Sequence, residues 1–307
     1  MRIVRPTGLV AGSLACLMIA GVAAQAADLP VQAPAYNIFS DKPIAWVPSS
    51  GPAVDGLNGK LDIFGGSVAR HGFYGTSGSA TVPVAREYGV QFDGMLGSYR
   101  NSFLGAAGVH AFWRDPGRGL LGVYGSYAYL DRLGGARVGH FGIEGAVYLG
   151  RWAFEGVLGV ESGNSVTGTI AGVTETIDLK TRAFDRLDVA YYATDNLRLS
   201  IGHRYLGGRN LLALGGEWAF ATPRNTMASL FAEARLGNSD SSSAWAGLRV
   251  YFGQHQKTLI RRHREDDPLN GLSDQAAAFG NASGSSPANT ITCGPGQRLQ
   301  NGVCINT

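Results

Sequence analysis

The sequence predicts an all-β fold, a closed antiparallel transmembrane β-barrel of about 12 strands with irregular tails on either side. Three observations predict it. Strand-like segments follow one another through residues 57–253 at spacings of about a dozen residues, with no sustained helical period. Within these segments apolar and polar side chains alternate, one row for each face of a strand. The large aromatic residues collect at strand ends rather than strand middles, as membrane interfaces select and water-soluble cores do not.

The strands are expected at 57–68, 75–84, 88–99, 102–114, 119–131, 136–149, 151–163, 182–193, 196–206, 210–221, 226–237 and 242–253. Turn signals separate them, among them Asp115-Pro116-Gly117, Leu149-Gly150-Arg151, Thr194-Asp195-Asn196 and Pro223-Arg224-Asn225. Most segments have about the ten residues that a tilted strand needs to cross a hydrocarbon core. Their even number puts both ends of the barrel on one side of the membrane. Beyond the amino-terminal leader no apolar run is long enough for a spanning helix. In lipid an unpaired strand edge would leave backbone groups unsatisfied, so the sheet must close.

The apolar row should face lipid. Tyr88, Trp113, Trp152, Tyr191, Trp218, Phe220 and Phe252 fall on it at one set of strand ends. Phe103, Tyr127, Tyr129, Phe141 and Tyr205 fall on it at the other, completing two aromatic belts. The opposite row should face the lumen. Its basic residues are Lys60, Arg114, Arg151, Arg186, Arg198, Arg204, Arg235 and Arg249. Its acidic residues are Asp62, Asp93, Glu144, Glu155, Glu161, Asp188, Glu217 and Glu233. Equal numbers of opposite charge suit a polar channel with a transverse field, or a ladder of ion pairs that fills the interior. Small inward residues such as Ser77, Ser79, Ser200, Gly202 and Ser229 leave room for water and favour the open case. On that reading Arg198→Glu and Arg204→Glu shift ion preference toward cations with little effect on folding.

The segments outside the barrel are read as follows. Residues 1–26 form a signal peptide: Arg2 and Arg5, an apolar core over Gly8–Val22, and the cleavage site Ala24-Gln25-Ala26. A membrane anchor and lipoprotein processing at Cys16 are the alternatives. The first requires a longer and less alanine-rich run; the second has a poor lipobox in Ser13-Leu14-Ala15. Residues 27–56, with Pro30, Pro34, Pro43, Pro48 and Pro52, read as a periplasmic linker. Residues 254–307 read as a periplasmic tail: a charged run from Lys257 to Asp267 acting as a solvated tether, then a Gly/Ser/Ala/Asn-rich spacer. The tail ends in a short loop that Cys293 and Cys304 would close as a disulfide, with free thiols or intermolecular pairing as the alternatives. Segment 162–182, with alternating Ser165, Thr167, Thr169, Thr174 and Thr176, should be a hairpin standing outside the cell, which surface proteolysis would nick while sparing the tail.

Catalytic chemistry is not expected. None of His71, His110, His140, His203, His255 or His263 has a serine two residues on, as hydrolytic barrels would. No metal-ligand spacing and no cofactor motif is present. The net charge of +3, with basic and acidic residues interleaved, argues against nucleic acid. The 45 glycines, scattered without a period, suit turns and close strand packing. The expected partners are outer-membrane lipid and lipopolysaccharide, the barrel-assembly machinery and small solutes or ions, with peptidoglycan a candidate contact for the tail.

Several stretches carry a family resemblance. The mature start Ala27-Asp28-Leu29-Pro30, Phe112-Trp113-Arg114-Asp115-Pro116, Gly202-His203-Arg204-Tyr205-Leu206-Gly207-Gly208 and the run Lys257–Pro268 resemble a rhizobial, α-proteobacterial group of outer-membrane, porin-like β-barrels. The likeness covers roughly residues 27–268. It implies a barrel in the outer membrane of a Gram-negative bacterium, and the lumen row favours a narrow, weakly selective channel for small hydrophilic solutes. A structural or adhesive barrel with a non-conducting lumen is the alternative. Gly247, Val250 and Phe252 resemble a barrel-assembly signal, although Trp245 stands where a polar residue is common and some fifty residues follow.

Overall fold

A computed structural model describes residues 51–221, 226–238, 240–253, 257–268, 270–287, 297–300 and 303–306. The barrel strands are β1 (Asn58–Val68), β2 (His71–Ala85), β3 (Tyr88–Tyr99), β4 (Ser102–Asp115), β5 (Gly119–Leu130), β6 (Ala136–Leu149) and β7 (Trp152–Gly163). A separate hairpin follows, β8 (Ser165–Ile170) and β9 (Val173–Asp178). The barrel resumes with β10 (Arg182–Thr194), β11 (Leu197–Leu206), β12 (Arg209–Ala221), β13 (Met227–Leu236) and β14 (Ser243–Phe252). Each of these twelve strands pairs antiparallel with its neighbours, β7 meets β10 directly, and β14 closes on β1. The closing register sets Asp62 opposite Arg249.

The strand bounds follow the sequence pattern closely, with one shift: β2 begins at His71 instead of 75. Ala69 and Arg70, at φ 47° and 67°, make a two-residue turn, so the ladder starts at Val68↔His71. Two left-handed residues give the turn twist that matches flanking strands. Arg100 and Asn101 do the same between β3 and β4, and Gly207 and Gly208 between β11 and β12.

The outer face is apolar. Ile63, Phe92, Leu96, Ile143, Leu158 and Leu248 all lie open on it, Ile63 at 65% exposure. Of the expected belt residues, Tyr88, Phe103, Tyr127, Phe141, Trp152, Tyr191, Trp218 and Phe252 are exposed, while Trp113, Tyr129, Tyr205 and Phe220 are half-buried against neighbours on the same face. An apolar surface of this extent on a closed barrel needs lipid or a partner to cover it.

The carboxy-terminal segment departs from expectation. Its composition predicts a free tail with a solvated tether; instead it re-enters the barrel. Helix α1 (Leu259–Glu265) closes the mouth where β1 starts and β14 ends, here called the amino-terminal mouth. Its Leu259 packs with Tyr148, Tyr192 and Tyr251, and its Ile260 and Leu259 N–H groups donate to the Asp195 carbonyl and the Asn196 side-chain oxygen of the β10–β11 turn. The chain then runs up the lumen to α2 (Asp274–Asn281), whose residues are all buried. Phe279 and Leu272 sit among Val68, Phe73, Tyr99 and Leu130 at the opposite, hairpin mouth. Beyond it β15 (Ser283–Pro287) adds to the hairpin in the order β15-β9-β8. β16 (Gln297–Gln300) and β17 (Val303–Asn306) form a small ladder of their own. Asp267 and Asp274 meet cations of the wall, while Lys257 and Arg262 are paired with Asp266 inside the segment itself, and this pairing offsets the cost of leaving water.

The amino-terminal linker also ends in the fold. Ala53 and Val54 are buried, and Asp55 N–H donates to Glu265 O at 2.9 Å. The expected signal peptide, the expected linker up to residue 50 and Cys293 lie outside the described residues, as does the side chain of Cys304, and with them the expected disulfide.

Candidate functional site

Strand alternation puts fifteen of the sixteen expected lumen charges on the inner row. The exception is Arg151, which stands exposed in the β6–β7 turn and bonds Asp195 at 2.7 Å and the Tyr192 carbonyl at 3.1 Å. It sits one residue before β7 begins at Trp152, so the alternation of the strand does not govern it.

The other fifteen meet each other, a histidine of the lumen or the inserted segment. Near the amino-terminal mouth Lys60 bonds Asp267 and the Pro268 carbonyl, the latter at 2.9 Å. Arg114 donates to the carbonyls of Ala53 (3.1 Å) and Asp266 (3.0 Å). Arg249 bridges Asp62 and Glu217, both at 2.7 Å, while Ser229 and Tyr251 donate to the same Glu217. Arg198 pairs with Glu155 at 2.6 Å. His110 lies between Asp93 (2.9 Å) and Glu144 (2.6 Å), which occupy both of its ring nitrogens. His140 bonds Glu161 at 3.0 Å and Gln275 of α2 at 2.8 Å.

The densest contact lies below the hairpin mouth. Arg186 and Arg204 are directly opposite in the β10–β11 ladder, an arrangement that like charges disfavour. Arg235 joins them from β13. Asp274, the first residue of α2, answers all three: Arg186 at 3.2 Å, Arg204 at 3.1 Å and Arg235 at 2.8 Å. Asp188 and Glu233 hold the outer nitrogens of Arg204 and Arg235, each at 2.7 Å. Charge-assisted contacts of guanidinium to carboxylate are among the stronger polar contacts available, and here three arginines converge on one plug residue.

The lumen is therefore occupied, not open. The space that Ser79 and its small neighbours leave is taken by the segment, with Asn270 donating to Ser79 at 3.3 Å. A Cβ at Gly271 would meet the Arg186 guanidinium, so a larger residue there would have to displace that side chain. Internal spaces lined by Arg198, Glu217 and Arg249 and by Arg114, Glu144 and His263 hold about 50 and 60 Å³, room for a few waters and not for a solute. At the rim Gly207 turns at φ +58° under the Ala278 carbonyl, which a Cβ would approach to 2.4 Å.

Sequence reasoning missed Asp266, Asp267, Asp274, His263 and Gln275 as interior groups. One signal was present: Phe64, Phe73, Phe112, Phe184 and Phe231 sit on the polar row, and all are buried in the lumen. Trp245 belongs with them, edge-on to Phe73 at 5.7 Å and under Arg235 at 4.9 Å. A wet channel has no use for such a set; a docked plug does. His203 faces outward with Asp185 at 2.7 Å. Among the described residues no His, Cys, Asp or Glu cluster has a metal-holding arrangement.

No protein-family model matches the chain, and no curated protein does. Solved structures resemble it loosely. An outer membrane channel from Pseudomonas putida F1 has 11% identity and a TM-score of 0.47, covering 67% of this chain and 98% of its own. The translocator domain of the autotransporter NalP from Neisseria meningitidis has 12% identity and a TM-score of 0.41, covering 65% and 88%. The outer membrane protein Omp33 from Acinetobacter baumannii has 12% identity and a TM-score of 0.33, covering 65% and 98%. The fold itself rests on the strand pairing described above.

Proposed function

We propose that the protein is an outer-membrane barrel of the porin-like kind, held shut by its own carboxy-terminal segment and passing small solutes only when that segment shifts. The observation that carries this reading is the convergence of Arg186, Arg204 and Arg235 on Asp274. The contact is strong yet entirely polar, and an arginine-lined wall freed of its carboxylate becomes a wet, charged passage. The apolar outer face and its aromatic belts support lipid residence, and the leader-like amino terminus supports export.

The test is planar-bilayer recording of the full chain beside its Asp274→Ala variant. The native protein should give a quiet baseline with brief openings, and the variant longer or more frequent ones. A steady open level from the native protein would overturn the closed state. Silence from both would leave the second reading, a structural barrel with a permanently filled lumen, which the ion pairing of the wall favours.

A further inference from the structure

The path of the carboxy-terminal segment has a direction. An even number of barrel strands brings β14 to its end at the amino-terminal mouth, beside the start of β1. The chain turns inward there through α1, crosses the lumen and reaches α2 at the other mouth. The next strand fixes where it goes. β9 descends from the hairpin tip at Ala171–Gly172 to the barrel rim, where β10 begins. β15 pairs antiparallel to it, Ser283 opposite the buried Ile177 near the rim and Pro287 opposite Val173 beside the tip. It therefore climbs away from the barrel. Asp178 N–H bonds Ala282 O at 3.0 Å and Arg209 bonds Asn281 O at 3.1 Å, pinning the exit point to the rim.

We propose that the barrel is a display anchor, threading its own chain through the lumen so that residues beyond 287 are presented on the outer face of the membrane. The inference rests on the outer-membrane reading above, with the amino-terminal mouth toward the periplasm. The charge distribution of the chain fits it. Between 257 and 274 lie Lys257, Arg261, Arg262, Arg264, Glu265, Asp266, Asp267 and Asp274; Asp267, Asp274 and Arg264 find lumen or rim partners, and Lys257 pairs with Asp266 within the segment. From 283 to 307 the only charged side chain is Arg298, among serine, threonine, asparagine and glycine. An uncharged polar segment crosses a narrow lumen at low desolvation cost, whereas the charged stretch before it is held by its ion pairs. The first part travels through and the second part stays as the stopper.

The test places one epitope tag at three positions in three full-length proteins: after Thr307, between Ala171 and Gly172 at the hairpin tip, and between Gly117 and Arg118 at the amino-terminal mouth. Heat-modifiable gel migration confirms that each barrel has folded. Antibody staining of intact cells should detect the first two tags, and the third only after permeabilisation. Staining of the Thr307 tag confined to permeabilised cells overturns display. If the hairpin tag nevertheless stains intact cells, the threading path is at fault; if the Gly117 tag does instead, the orientation is. Neither result bears on the conductance of the native barrel, which judges the closed-pore reading separately.

Discussion

Arg204 shows how much one side chain decides. On the inner row of β11 it would be a free charge in an open channel, and its reversal to glutamate a simple change of selectivity. It is instead bonded to Asp188 at 2.7 Å and Asp274 at 3.1 Å, and is 4% exposed. Arg204→Glu would bring a third carboxylate against these two in a site with little room for water. Breaking a buried pair by altering one partner costs about 3–5 kcal/mol, and the weakest element in contact yields first. That element is α2, held to the wall by side chains, not by the ladders that hold the strands. Hydrogen–deuterium exchange should therefore quicken across 270–282 while the exchange of β10, β11 and β12 stays slow. Equal protection in both regions would show that Asp274 is not what seats the helix. Arg198, paired with Glu155 at 2.6 Å and away from Asp274, should affect the plug less when reversed.

The elements differ in how plainly the sequence announces them. A barrel strand has a two-residue period and lipid on one side, so its apolar row is unbroken and its bounds are readable to within a residue or two; β3 and β6 show this. The hairpin β8–β9 was legible too, from its threonines, which face each other as Thr167–Thr176 and Thr169–Thr174 pairs. α2 was not. Its sequence has Phe279 as the only large apolar residue among alanines, glycine and polar groups, which reads as a spacer. What makes it a helix is burial on every side, a property of the barrel around it and not of its own pattern. Likewise the run Lys257–Asp267 resembles a solvated tether because charge usually means water, and only a wall of opposite charges reverses that. The hairpin gives a test at this scale. β7 pairs with β10 directly from Glu161↔Arg182 onward, so the barrel closes without β8 and β9. Replacing 165–178 with a short glycine-serine linker should leave heat-modifiable migration intact but strip β15 of its ladder, so that added protease cuts near Ser283–Pro287 faster than in the native chain. Failure of the shortened protein to fold would mean that the hairpin contributes to closure.

At the scale of the whole molecule the barrel has two inner surfaces and one outer, and their chemistry is inverted relative to a soluble protein. The wall and the inserted segment share a core rich in ion pairs, with apolar clusters at the two mouths, where Phe279 seals one and Leu259 the other, and a further one joining Tyr124 and Val157 to Phe184 and Ala277. The large apolar area faces outward. Such a surface is stable only if the medium around it is apolar, and that dependence can be measured. Ile143 lies mid-strand in β6, outward and 63% exposed, while Ile170 is 44% exposed on the hairpin beyond the rim. In water-exposed terms the two are alike. In a bilayer they are not, because an arginine on the lipid face near the midplane costs about 2–4 kcal/mol and the cost falls toward zero at the interface and beyond. Ile143→Arg should therefore lower the stability of the protein refolded in lipid vesicles by about that amount, read as a shift in its denaturant midpoint. Ile170→Arg should leave the midpoint where it is. Equal and small effects at both positions would mean that the outer face of β6 does not meet lipid.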